Sequence, residues 1–286
     1  MLSAMEANMT TRFPRIASYL IGALAAASTA ALAQTPPLAT SGVVSTSTTP
    51  TAEVSTTELV GLLAAPGTYV FDARPTAEFA VSHIPGALNV AQKPGTDLAE
   101  YISDAHEIDR LVGGVKTAPI VLYCNGPFCG KSKRLAVDLQ AMGYSNRKRY
   151  QLGAPTWRAL TSRAMVIEAE AVARVYRLDR TARFVDARPP CTAHGNGWKH
   201  VLPGSVNIQL GEVVVAKDDG RLPAEDHNTR VIVFGDSGAQ AKALADSIAA
   251  NAFHNTVYFD GTWDDFRAAA FPNRRGAIDD DDDEPR

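Results

Sequence analysis

Cysteine is scarce in this chain. Three residues in 286 are too few for a disulfide framework, and they lack the paired ligand spacing of a structural zinc site. Charge of one sign is also missing. The net charge is −3, and the excess comes from the run Asp279 to Glu284 near the C-terminus, followed by Arg286. Without that run the rest is slightly basic, which gives no electrostatic footprint for nucleic acid. Past the first few dozen residues no apolar run is long enough to cross a membrane. These absences lead us to expect no metal, no cofactor and no nucleic-acid partner.

The N-terminus carries a different pattern. Arg12 and Arg15 precede an apolar run from Ile16, and Ala31-Leu32-Ala33 stands before Gln34. A basic segment, an apolar segment and a small-x-small site read as a secretory signal peptide over 1–33, cut after Ala33. A periplasmic or secreted protein, with no membrane span after cleavage, is the expectation. Residues 34–54 are rich in Pro, Ser, Thr and Ala and read as a flexible linker. Structure is expected to begin at Ser55, where Ser55 or Thr56 can cap a short helix. The run Asp279 to Glu284 falls in an acidic disordered tail, 274–286.

Between linker and tail one pattern occurs twice. "YVFDARPTAEFAVSHIPGALNV", from Tyr69, is matched by "RFVDARPPCTAHGNGWKHVLPGSVNI", from Arg183. "APIVLYC", ending on Cys124, is matched by "TRVIVFG", ending on Gly235. "KSKRLAVDLQAMGYSNRKRYQLGAPTW" is matched by "AQAKALADSIAANAFHNTVYFDGTW". A repeat of this size is a repeated domain, here 55–163 and 164–273. Short apolar strands alternate with helical patterns, which argues for βα units around a mainly parallel sheet flanked by helices. "PIVLY" and "RVIVF" have the continuous apolar character of strands buried on both faces. Leu135, Leu139 and Met142 form one helical face, as do Ala241, Leu244, Ala245 and Ile248. Gly143 is a helix stop.

The ordered set "FDARPTAEF", "HIPGALNV", "VLYC" and "LGAPTW", with its second copy, resembles the rhodanese-like (thiosulfate sulfurtransferase) superfamily. The resemblance spans about Ser55 to Phe271. It implies two tandem α/β domains and transfer of sulfane sulfur through a persulfide on the cysteine after the central strand, here Cys124. The partners it implies are a small sulfur-containing anion and a thiol or cyanide acceptor, with a protein acceptor left open.

The residues themselves suit that chemistry. The nucleophile must be a thiolate, and a loop between a strand end and a helix N-terminus favours negative charge. The segment Asn125, Gly126, Pro127, Phe128, Cys129, Gly130, Lys131 and Ser132 is the expected substrate-binding loop. Gly126 and Gly130 permit close approach, Pro127 stiffens the loop, and Ser132 can cap the helix. Lys131, Lys133 and Arg134 place positive charge where the helix dipole disfavours it, which points to an anionic substrate or to a solvated face. The loop is longer than the family's commonest form. It also lacks the arginine with which phosphatase and arsenate reductase relatives grip an oxyanion, since Gly130 stands six residues past Cys124.

Cys129 has three readings: a resolving thiol, a second sulfur carrier, or a structural residue. A Cys124–Cys129 disulfide is compatible with an oxidising compartment. His83 and His200 precede Pro-Gly turns and read as structural. Asp72 with Arg74, and Asp186 with Arg188, read as structural ion pairs, although Arg74 is kept as a substrate-binding candidate. In the second copy Gly235 replaces the cysteine. Ser237 has no evident base, and Cys191 lies on another segment, so this domain is expected to be inactive. A thiol–disulfide redox module using Cys124 and Cys129, and a non-catalytic binding module, are the alternatives to a sulfurtransferase.

Overall fold

The computed structural model describes residues 51–93, 95, 103–190 and 202–272. The expected leader, nearly all of the linker, Cys191, His200 and the acidic tail lie outside the described residues.

Two five-stranded sheets follow one another along the chain. The first contains β1 (Ala52–Glu53), β2 (Tyr69–Asp72), β3 (Leu88–Asn89), β4 (Ile120–Tyr123) and β5 (Arg147–Tyr150) in the order β1-β5-β4-β2-β3. The second contains β6 (Met165–Ile167), β7 (Arg183–Asp186), β8 (Val206–Asn207), β9 (Val231–Phe234) and β10 (Thr256–Phe259) in the order β6-β10-β9-β7-β8. The orders are the same, and every strand pair in both sheets is parallel. The connections in the first domain carry α1 (Thr56–Ala64), α2 (Thr76–Val81), α3 (Asp104–Leu111), α4 (Gly130–Ala141) and α5 (Gly153–Thr161). Those in the second carry α6 (Ala169–Leu178), α7 (Val213–Asp218), α8 (Gly238–Ala250) and α9 (Trp263–Ala270).

The linker expected through residue 54 ends in β1, which pairs with β5 and covers its outer edge. Ser55 then caps α1 in a reciprocal box with Glu58, which satisfies two backbone donors of the first turn. The central strands β4 and β9 are buried throughout, as their apolar runs require. Their side chains alternate between two cores. Ile120 and Leu122 pack with Leu135 and Leu139 of α4 on the outer face of the first sheet. Val231 and Val233 pack with Leu244 and Ile248 of α8 on the outer face of the second. The inner faces share a single core in which Val121, Tyr123 and Trp157 meet Met165, Phe234 and Phe266.

Backbone pairing reinforces this junction. His83 and Val166 exchange N–H···O bonds of 3.0 and 2.9 Å, and the Glu168 N–H donates to the Ala80 carbonyl at 2.7 Å. The His83 ring is buried and stacks on Phe79 with centroids 3.8 Å apart, and its Nδ1 is 3.1 Å from the Phe79 carbonyl oxygen. Burial pushes its pKa down to about 4, against a smaller upward pull from that hydrogen bond. Glu168 Oε1 lies 3.5 Å from Nε2, but this half-exposed carboxylate does not offset the burial. His83 is thus a neutral junction residue.

Candidate active site

Cys124 follows the last residue of β4, at the carboxyl end of the central strand. Its neighbours in the sheet are β5 on one side and β2 on the other, so the chain order reverses here. Open parallel sheets form their ligand crevices at such points. The loop 124–129 then leads into α4. Gly126 has φ +138°, a conformation that a side chain would strain, and its carbonyl accepts from the Cys129 N–H at 3.0 Å. That turn places Cys129 at the N-cap of α4, where it makes no side-chain capping bond. The expectation that Ser132 caps the helix is corrected. The helix starts at Gly130, and Ser132 is buried on the third helical position.

Cys124 and Cys129 are joined by a disulfide across a Cα–Cα distance of 6.2 Å. Cys124 is 2 % exposed, whereas Cys129 is half-buried and Phe128 beside it is 97 % exposed. Asn125 donates from Nδ2 to Glu78 on α2 at 2.6 Å. Lys131 and Arg134 are exposed on the first turns of α4. They lie close enough to Asp104 at the start of α3 to pull its pKa down against the larger upward push of burial. Part of the positive charge at this helix end is therefore answered by a carboxylate.

One residue outside the expected site shapes the loop. Gly153, the first residue of α5, has φ +73°. A Cβ there would lie 2.5 Å from the Cys124 carbonyl oxygen and closer still to the Gly126 nitrogen. The close approach also lets the Ala154 N–H donate to the Cys124 carbonyl at 3.0 Å. The glycine in "LGAPTW" was the available signal, but its packing partner is distant in sequence.

Arg74 belongs to the scaffold. Its guanidinium grips Asp72 with Nε–O distances of 2.9 and 3.0 Å, and Nη2 donates to the Ser82 carbonyl at 2.6 Å. It also lies over the Tyr123 ring, 5.7 Å from the centroid. Burial alone lowers an arginine's pKa, but the hydrogen bonds and charge of Asp72 outweigh it and leave Arg74 raised. No hydrogen bond links it to the cysteine loop. Arg188 and Asp186 repeat the pair in the second domain, with Arg188 stacked 3.9 Å above Trp263.

In the second domain Gly235 follows β9 where Cys124 follows β4, and only Asp236 and Ser237 separate it from α8. Gln240 folds back over this short loop and accepts from the Asp236 N–H at 2.8 Å through Oε1. A Cβ on Gly235 would fall 2.7 Å from that oxygen. Ser237 caps α8 by accepting from the Gln240 N–H at 3.3 Å. The place of a nucleophile is thus filled by an amide, and the serine is occupied as a cap.

No group of His, Cys, Asp and Glu that could hold a metal is present among the described residues, and none of their helices is long and apolar enough to cross a membrane. A cavity of about 430 Å³ between α2 and α6 is lined by Thr76, Ala80, Lys93, Glu170 and Arg174. It includes no residue of the cysteine loop.

Several solved structures are similar to this chain. A Bacillus halodurans protein is 23 % identical over 38 % of this chain and 72 % of its own, with a TM-score of 0.30. A thiosulfate sulfurtransferase from Pseudomonas aeruginosa is 20 % identical over 74 % of this chain and 41 % of its own, with a TM-score of 0.33. A 3-mercaptopyruvate sulfotransferase from Escherichia coli is 17 % identical over 74 % of this chain and 99 % of its own, with a TM-score of 0.30. No curated protein matches the chain. The model of the rhodanese-like domain matches twice, over residues 55–160 and 171–269, and the chain therefore belongs to the rhodanese-like family as a tandem pair.

Proposed function

We propose that the protein is an exported sulfurtransferase whose first domain carries sulfane sulfur on Cys124. One observation carries the reading. On a scaffold built twice, a cysteine stands at the carboxyl end of the central strand, ahead of a helix N-terminus, in one copy only. The other copy folds with glycine there, so the fold does not call for the thiol.

The reaction starts from the reduced loop. The Cys124 thiolate attacks the outer sulfur of a donor such as thiosulfate. The S–S bond breaks, sulfite leaves with the electron pair, and Cys124 holds a persulfide. The N-terminus of α4 favours the negative charge of both thiolate and persulfide. A thiol or cyanide acceptor then attacks the terminal sulfur, and Cys124 leaves as thiolate. Lys131 and Arg134 draw the anionic donor toward the loop.

Intact-mass measurement tests this reading. The reduced protein, treated with thiosulfate, is expected to gain one sulfur atom or to release it as sulfide, and Cys124→Ser to do neither. Sulfur uptake by Cys124→Ser equal to that of the wild type would overturn the reading. N-terminal sequencing of the mature protein from the producing cell checks export, with Gln34 as the expected first residue.

A further inference from the structure

We propose that Cys129 is the resolving thiol of the Cys124 persulfide: without an external acceptor, the loop expels hydrosulfide and closes the Cys124–Cys129 disulfide, which a dithiol reductant reopens at Cys129. The inference rests on the persulfide reading above and adds to it a product, sulfide, and a partner class, a dithiol.

The geometry for the first step is already in place. The cysteines are bridged within one loop, at a Cα–Cα distance of 6.2 Å that lies inside the ordinary range for a disulfide. The Gly126–Cys129 turn and the start of α4 fix Cys129 beside Cys124. A cysteine at a helix N-cap stands where thiolate is favoured over thiol. The Cys129 thiolate attacks the inner sulfur, Cys124 Sγ. The bond from Sγ to the terminal sulfur breaks, and that sulfur departs as hydrosulfide with the electron pair and the persulfide proton. The sulfane sulfur gains two electrons and the two cysteines lose two, so no outside oxidant is needed.

The second step follows from exposure. Cys124 is 2 % exposed, while Cys129 is half-buried at the loop surface next to the 97 % exposed Phe128. An incoming thiolate reaches the Cys129 sulfur first, forms a mixed disulfide there and frees Cys124 as thiolate. The second thiol of the reductant then displaces Cys129. The reductant ends as a disulfide and the loop as a dithiol. A purely structural role for the bridge is disfavoured by the second domain, whose matching loop closes without any cysteine.

The test uses the full chain, reduced and desalted, with stoichiometric thiosulfate and no acceptor. Thiosulfate is chosen because its own leaving group is sulfite, so any sulfide comes from the persulfide. The wild type is expected to release one sulfide per chain and to end two hydrogens lighter than its reduced form. Cys129→Ser is expected to hold the added sulfur and to lose sulfide release. Serine is a good N-cap, so this variant keeps the helix start. A wild type that keeps the added sulfur and releases no sulfide overturns the inference and leaves the sulfurtransferase reading standing. Failure of both proteins to take up sulfur overturns both. A thioredoxin-type reductant lacking its resolving cysteine should be trapped on Cys129, and trapping on Cys124 overturns the reopening step.

Discussion

The β4–α4 loop and the β9–α8 loop leave the same place on the same scaffold and reach opposite ends. Both strands are buried, both feed a helix, and both domains anchor the neighbouring turn with an Asp-x-Arg pair. The first loop is longer, keeps two sulfurs and leaves Phe128 in solvent. The second is short and filled by Gln240. Even the tight spot against the following turn is solved in reverse. In the first domain the glycine is Gly153 of the turn, pressed on the loop. In the second it is Gly238 at the start of α8, pressed on Asp260 with a Cβ position 2.9 Å from its Cα. The comparison teaches that the fold demands close backbone approach there, while the thiol is an addition to it.

Two glycine substitutions probe that contrast most strongly. Gly153→Ala has the largest expected effect. Its Cβ meets backbone rather than a pliable side chain, and its φ is positive. A loss on the order of 2–5 kcal/mol in urea unfolding is expected, together with loss of sulfur loading on Cys124. Gly238→Ala should destabilise in the same way yet leave loading intact in the folded fraction. Equal loss of loading in both would break the contrast between the loops.

His83 comes next. Its folded pKa is about 4 and its unfolded value 6.5, so the unfolded chain binds the extra proton between those values. The stabilisation is complete above pH 6.5 and is lost as pH falls toward 4. A shift of this size corresponds to roughly 3 kcal/mol. Urea titrations at neutral and mildly acidic pH should show the decline, and His83→Gln should flatten it. The smallest effect belongs to Ser237→Ala, which removes a cap worth about 1 kcal/mol and should leave sulfur transfer unchanged. Loss of transfer would give the second domain a chemical role.

The duplication, the buried strands and the position of Cys124 were legible because each leaves a local mark: an apolar run, a repeated tetrapeptide, a cysteine at a strand end. Other features left none. β5 is "RKRY", an interior strand with no apolar run, readable only beside its partner "TVYF". Its first arginine is held by main-chain carbonyls. Arg147 donates to the Ala136 and Tyr144 carbonyls at 3.0 and 2.8 Å, and β1 covers its edge. Gly153, Gln240 and the His83–Val166 pairing depend on contacts between distant segments, which spacing cannot reveal. Ser132 was misplaced as a cap because the turn at Gly126 delivers Cys129 to the helix start first.

The core common to the inner faces has a consequence for inheritance. A chain cut between the copies would carry Val70, Val121 and Trp157 onto a wet surface, and a contiguous apolar patch of that kind invites aggregation. The second copy can therefore forfeit its reactive atom without becoming dispensable. Drift is free to rewrite its loop but not the strands that face its twin, so truncation is closed to a lineage in which point substitution at Gly235 remains open.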